Sequence, residues 1–188
     1  MDTDVVQTKR WTRREYYQMA ETGMFQPDEH VELIDGEIIT MTPQRSQHAA
    51  VIGKAEVQLR QAFGDGYWVR TQMPLALSEN SDPEPDLAIV PGSPNDFLSE
   101  HPTTALLIVE VSDTTLPLDR EKKAWLYAHS QIPEYWILNL QNNQLEVFRN
   151  PQSSKYQTHF TMHAPQTVEP LHAGGARIPV SALLLPEK

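Results

Sequence analysis

Apolar positions along the chain change period several times, and each change marks an element. Thr12 precedes "RREYYQMAE" as an N-cap would, and Gly23 stands where that first helix stops. "HVELIDGEIITM" sets Asp35-Gly36 between two apolar, β-branched runs, which is hairpin-turn chemistry, so strands are expected at 30–34 and 37–41. From Ser46 to about Gly64, Ile52, Ala55, Leu59 and Ala62 recur at three- and four-residue steps and predict a longer helix, with His48 on its inner face. Strands are expected at 67–72 and 75–77, then at "DLAIV" (86–90) and "LLIVEVS" (106–112). The last two are almost continuously apolar, as strands covered on both faces are, and should be central. A helix from Arg120 with Asp119 as its cap, strands 134–140 and 144–150 around Asn142-Asn143, an alternating outer strand at 154–163 and a closing helix at 180–186 complete the pattern. The order predicts an α/β fold, a mixed central β-sheet flanked by α-helices with an N-terminal β-hairpin, as one domain over 1–188.

Composition narrows the chemistry. The chain has 188 residues, 39% of them hydrophobic, and no cysteine, so disulfides, zinc-thiolate sites and thiol nucleophiles are excluded. The opening "MDTDVVQTKR" has no leader pattern, and "ALLIV" is far too short to span a bilayer, which leads to the expectation of a soluble, cytoplasmic protein without a membrane partner. Net charge is −10. Much of the excess is local: from Glu79 to Glu134 there are eleven acids against three bases. A solvated acidic face accounts for that more simply than a bound divalent cation does.

Individual positions sharpen this reading. Asp86 opens one central strand, and Glu110 interrupts another where an apolar residue is expected, so each carboxylate needs an arginine, backbone donors or a metal to offset its burial. Taken singly, Asp86 reads equally well as a strand-start cap and Glu110 as half of a buried pair with Arg70 or His48. Magnesium suits two hard oxygen ligands completed by water and phosphate. Positions 119, 123 and 127 are Asp, Lys and Tyr at four-residue steps, so Lys123 and Tyr127 face the acids from one side of a helix. Asp82 and Glu84, beside Pro83 and Pro85, read as a solvated turn, Lys122 as solvent-facing, Tyr127 alone as half-buried with a wet hydroxyl, and Trp125 and Trp136 as core. Neither a Gly-rich phosphate loop nor a serine nucleophile elbow is present.

With "VELIDGEII", "PEPDLAIV" and "LLIVEVSDTTLPLDREKKAWLYAHSQIPEYWILN" in view, the chain resembles the Uma-two family, within the restriction-endonuclease-like PD-(D/E)XK superfamily of nucleases. That resemblance implies a metal-dependent DNA endonuclease in which Asp86 and Glu110 bind magnesium, or manganese in its place, with the Val111 carbonyl completing the coordination. The superfamily lysine two residues after the glutamate is replaced here by Ser112, and the resemblance assigns its role to Lys123, with Tyr127 beside it. Glu32 and His48 are implied in supporting roles. Two alternatives stand beside this reading, a non-catalytic interaction protein on the same fold and a small-molecule phosphodiesterase. The basic residues expected to meet a DNA backbone are Lys9, Arg10, Arg13 and Arg14, which a homodimer would align in two patches.

Overall fold

The structure is a computed structural model that describes residues 7–26 and 28–186. Helix α1 (Arg13–Glu21) starts at a reciprocal cap in which the Thr12 side chain accepts from the Glu15 amide while the Glu15 carboxylate accepts from the Thr12 amide. Strands β1 (Val31–Ile34) and β2 (Glu37–Thr40) form the expected hairpin. Its two turn residues, Asp35 and Gly36, have φ of 48° and 72°. Gly36 is required twice over, because a Cβ there would also lie 2.7 Å from the Arg10 Cβ. Next come α2 (Ser46–Phe63), β3 (Tyr67–Thr71), β4 (Leu87–Pro91) and β5 (Leu107–Ser112).

The following helical segment comprises α3 (Leu116–Leu118), a π-helical turn (Asp119–Lys123) and α4 (Ala124–His129). Strands β6 (Glu134–Asn139), β7 (Gln144–Gln152) and β8 (Lys155–Met162) complete the main sheet, and the small pair β9 (Thr167–Val168) and β10 (Ile178–Pro179) precedes α5 (Val180–Leu183).

The main sheet runs β3-β4-β5-β6-β7-β8. Every neighbouring pair is antiparallel except β5 and β6, which are parallel and joined by the α3–α4 crossover. One face packs Leu87, Ile89, Leu107 and Val109 against Val51, Ala55 and Leu59 of α2. The other packs Ala88, Val90, Ile108 and Ile137 against Leu126 and Tyr127 of α4. Burial on both sides explains the unbroken apolar runs of β4 and β5.

Several expectations are corrected. Residues 75–77 form no strand; Leu75 is buried in an irregular stretch whose amide donates to the Pro83 carbonyl, and flanking prolines withhold the N–H groups a ladder needs. The helix begins before Arg120, so Asp119 lies inside the helical segment and does not cap it. Trp125 is 37% exposed and stacks on His129, while Trp136 is core. Asp82 is buried and Glu84 half-buried, and neither is solvated as a turn would be. The Asp82 amide donates to the Leu33 carbonyl and its carboxylate accepts from the Tyr17 hydroxyl at 2.5 Å, which ties the hairpin and α1 to the sheet.

Leu59 is fully enclosed between α2 and the sheet. Leu59→Ala should cost about 3 kcal/mol, read as a lower urea midpoint with the slope unchanged.

Candidate active site

Alternation along the strands sets the site. Asp86, Ala88 and Val90 share one face of the chain entering and forming β4, and Ile108, Glu110 and Ser112 share the corresponding face of β5. Both carboxylates therefore lie on the side covered by the crossover helix, where β5 ends and the chain turns into that helix. Glu110 is 3% exposed. Its Oε1 accepts from the Tyr127 hydroxyl at 2.6 Å and from Lys123 Nζ at 3.0 Å. Its Oε2 has only the Asp86 amide, at 3.4 Å.

Asp86 is buried too. Its Oδ2 accepts from the Val111 amide at 2.7 Å and stands 3.3 Å from His48 Nε2, and its Oδ1 takes the Gln72 side-chain amide at 3.3 Å. Lys123, 1% exposed, reaches Glu32 of β1 at 3.2 Å as well as Glu110. Arg70 takes no part; its guanidinium donates to the Pro74 carbonyl and lies over Trp68. Tyr127 is fully buried, and its hydroxyl donates a hydrogen bond to Glu110 in place of water.

The π turn has a local cause. The Ala124 amide bonds back to the Asp119 carbonyl, and the Tyr135 hydroxyl donates to that same carbonyl at 3.1 Å, competing with the tighter ladder. Lys123 and Asp119 are both buried in this widened turn. Asp119 belongs to the cluster, although its position suggested a cap: Oδ2 accepts from Thr115 Oγ1 at 2.7 Å, while Oδ1 is buried without a hydrogen-bond partner. The 119/123/127 spacing carried this signal. Gln72, by contrast, had no signal in the sequence, because its approach to Asp86 depends on the β3–β4 pairing.

Together Asp86, Glu110, Asp119, Glu32, His48 and Lys123 line a cavity of about 1070 Å³ that Val111 also borders. Four buried carboxylates face one ammonium. Burial pushes Glu110 up to about 8, with Lys123 opposing and Asp86, Asp119 and Glu32 adding to the rise. Asp119 is raised by burial as well, against Lys123 and Thr115. Burial alone would lower Lys123, but Glu110, Glu32, Asp119 and Asp86 outweigh it and hold the ammonium charged. His48 is raised despite its burial, by the hydrogen bond and charge of Asp86 and by the Val111 backbone. Among the described residues, no group of three or more His, Asp or Glu side chains stands ready to enclose an ion.

Of the N-terminal bases expected to meet DNA, Arg14 stays exposed on α1, and the other three take acidic partners. Lys9 pairs with Glu15 at 2.7 Å, Arg10 with Glu37 at 2.6 Å, and Arg13 approaches Asp82 at 3.7 Å. Lys122, expected to face solvent, is partly covered and pairs with Glu37. No described helix is long and apolar enough to cross a membrane.

A mixed sheet with one parallel crossover, acidic groups at the end of its central strands and a lysine on the crossover helix defines a restriction-endonuclease-like architecture. A model of the Uma2 family, described as "Putative restriction endonuclease", matches residues 13–181, and the chain belongs to that family. A solved structure, described as a "putative nuclease belonging to DUF820" from Anabaena variabilis ATCC 29413, superposes with a TM-score of 0.70 at 14% identity, covering 92% of this chain and 96% of its own. At that identity the likeness is one of fold. None of the curated proteins matches the sequence.

Because Glu110 titrates near 8 when folded against an ordinary 4.5, the folded state binds the extra proton between those values. Its contribution to stability is complete below about 4.5 and lost as pH rises through about 8. Asp119 adds in the same sense. The urea midpoint of metal-free protein should therefore fall from pH 5 to pH 8, about those limits, and Glu110→Gln should flatten the decline.

Proposed function

We propose that the chain is a metal-dependent endonuclease that hydrolyses DNA phosphodiester bonds, with magnesium as its ion and manganese as a substitute. The observation that carries this reading is the charge of the cavity, where Glu32, Asp86, Glu110 and Asp119 are buried around the single ammonium of Lys123. Burial favours protons on Glu110 and Asp119, and a further cation would take the place of those protons and let both groups ionise. The donor set fits a hard divalent ion: Asp119 Oδ1 has no partner, and Glu110 Oε2 has one long contact. Asp86 and Glu110 would hold it with the Val111 carbonyl, as two carboxylates suffice for an ion that keeps most of its water. When bound, such an ion supplies Lewis acidity, polarising a phosphoryl oxygen and acidifying water.

The protein's own groups do the rest. Lys123 has three N–H donors and spends two of them, on Glu110 and Glu32, leaving one for the cavity it lines. That donor orients the attacking water or takes the charge that grows on the phosphoryl oxygens. The Tyr127 phenol, held protonated by burial and by Glu110, fixes the orientation of the Glu110 carboxylate. His48 and the Val111 amide do the same for Asp86. The family match supports the phosphodiester substrate.

Purified protein should nick supercoiled plasmid in magnesium or manganese and stop in chelator. Glu110→Gln and Lys123→Met should each slow nicking at least about a hundredfold with the fold retained by circular dichroism. Cleavage that persists in Glu110→Gln would refute the assignment.

A further inference from the structure

The cavity that serves the proposed hydrolysis is hostile to its own substrate. Seven carboxylates line it, against two full cations, Lys123 and Arg45. Lys123 is deeply buried and held between Glu110 and Glu32. Of the N-terminal bases, Lys9, Arg10 and Arg13 are engaged with Glu15, Glu37 and Asp82, and the exposed Arg14 is no part of the lining. A polyanionic strand approaching this opening therefore meets one cation that is both in the lining and accessible.

Arg45 occupies the N-cap of α2, and its side chain makes no cap hydrogen bond. It is 74% exposed, and Nη1 makes one contact, 3.3 Å to Asp113 Oδ2 at the end of β5. The pair joins the two lips of the cavity. An exposed ion pair with a single contact is weak and readily exchanged. A phosphate offers the planar guanidinium two parallel acceptors and a stronger charge-assisted contact than that one bond.

We infer that Arg45 anchors a backbone phosphate of the DNA strand at the cavity mouth, leaving Asp113 to do so. The inference rests on the phosphodiesterase reading and deepens it. Asp113 is the competitor in this arrangement: it holds the guanidinium over the opening in the free protein and is displaced when the strand enters. Arg45 contributes to binding and to register, and the chemistry stays with the buried groups, so its removal acts on KM and leaves kcat in place.

The test compares the parent with Arg45→Ala, Arg45→Lys and Asp113→Asn, all surface changes whose folding is checked by melting temperature. One arm is cleavage kinetics in magnesium at several salt concentrations; the other is anisotropy of a fluorescein-labelled DNA duplex in calcium. Arg45→Ala should raise KM about tenfold with kcat within about twofold, and should reduce the salt slope by about one phosphate contact. Arg45→Lys should fall between it and the parent, and Asp113→Asn should tighten binding by freeing the guanidinium. If the parent cuts while Arg45→Ala keeps its KM and salt slope, the inference is overturned and the nuclease reading stands. If the parent binds the duplex through Arg45 without cutting it, the inference stands and the nuclease reading falls. Weaker binding by Asp113→Asn, or no duplex binding by any variant, overturns it.

Discussion

A buried ammonium held among carboxylates is the constraint around which this molecule is arranged. Lys123 joins three parts of the chain that are distant in sequence: Glu32 on the hairpin, Glu110 on β5 and its own crossover helix. Taking these charges out of water costs several kcal/mol per ion, and only close pairing returns it. Removing Lys123 would leave both acids buried without their cation. The hairpin is therefore more than an appendage, because Glu32 supplies one wall of the site, and the Asp82 amide bond to Leu33 holds that wall in place. This answers why so many acids crowd the approach to β4: Asp82 docks the hairpin, Glu84 lines the cavity and Asp86 enters the site.

The location of the cluster follows from topology. A right-handed parallel crossover places the start of its helix over the end of the strand it leaves, and crevices form there. β5 and β6 are the one parallel pair in the main sheet, and Glu110 lies near the end of β5. Apolar packing on both faces supplies a dry, low-dielectric surround, which is what raises Glu110 and sharpens every charge in the cavity. The structural core and the electrostatics of the site are thus one construction: the same burial that stabilises β4 and β5 makes their carboxylates costly.

The elements were largely legible in the sequence because period and turn chemistry act locally. Asp35-Gly36, the α2 stripe and the apolar runs of β4 and β5 each announced a conformation within a few residues. The acids were visible for the same reason, as polar interruptions of apolar runs. Relations made by tertiary contact were not. Residues 75–77 have strand-like side chains, yet they are surrounded by prolines and follow another path. Trp125 looked like core by residue type, but α4 turns it toward the surface. Arg10 and Arg13 find their partners, Glu37 and Asp82, far along the chain, where no local pattern reveals them. Spacing places Asp119 on one face with Lys123 and Tyr127, but the π turn that replaces a cap there is held by Tyr135, sixteen residues on.

The placement of Lys123 on the helix, with Ser112 on the strand, has its own physical logic. Ser112, two residues past Glu110, is fully buried, so a long cationic side chain there would have to displace the helix that covers it. Lys123 reaches the same acids from that helix, which makes the helix's position a determinant of the site. Its placement is accordingly pinned. Arg120, inside the π turn, makes a two-pronged contact with Glu146 of β7 at 2.9 and 2.6 Å, and Glu146 is itself buried and accepts from Asn139 and Gln144. Tyr135 holds the turn from β6. A lysine on a strand inherits its position from the sheet ladder, whereas one on a helix needs such struts. The buried Glu146 and Asn139, which have no place in the cavity, are accounted for by that requirement.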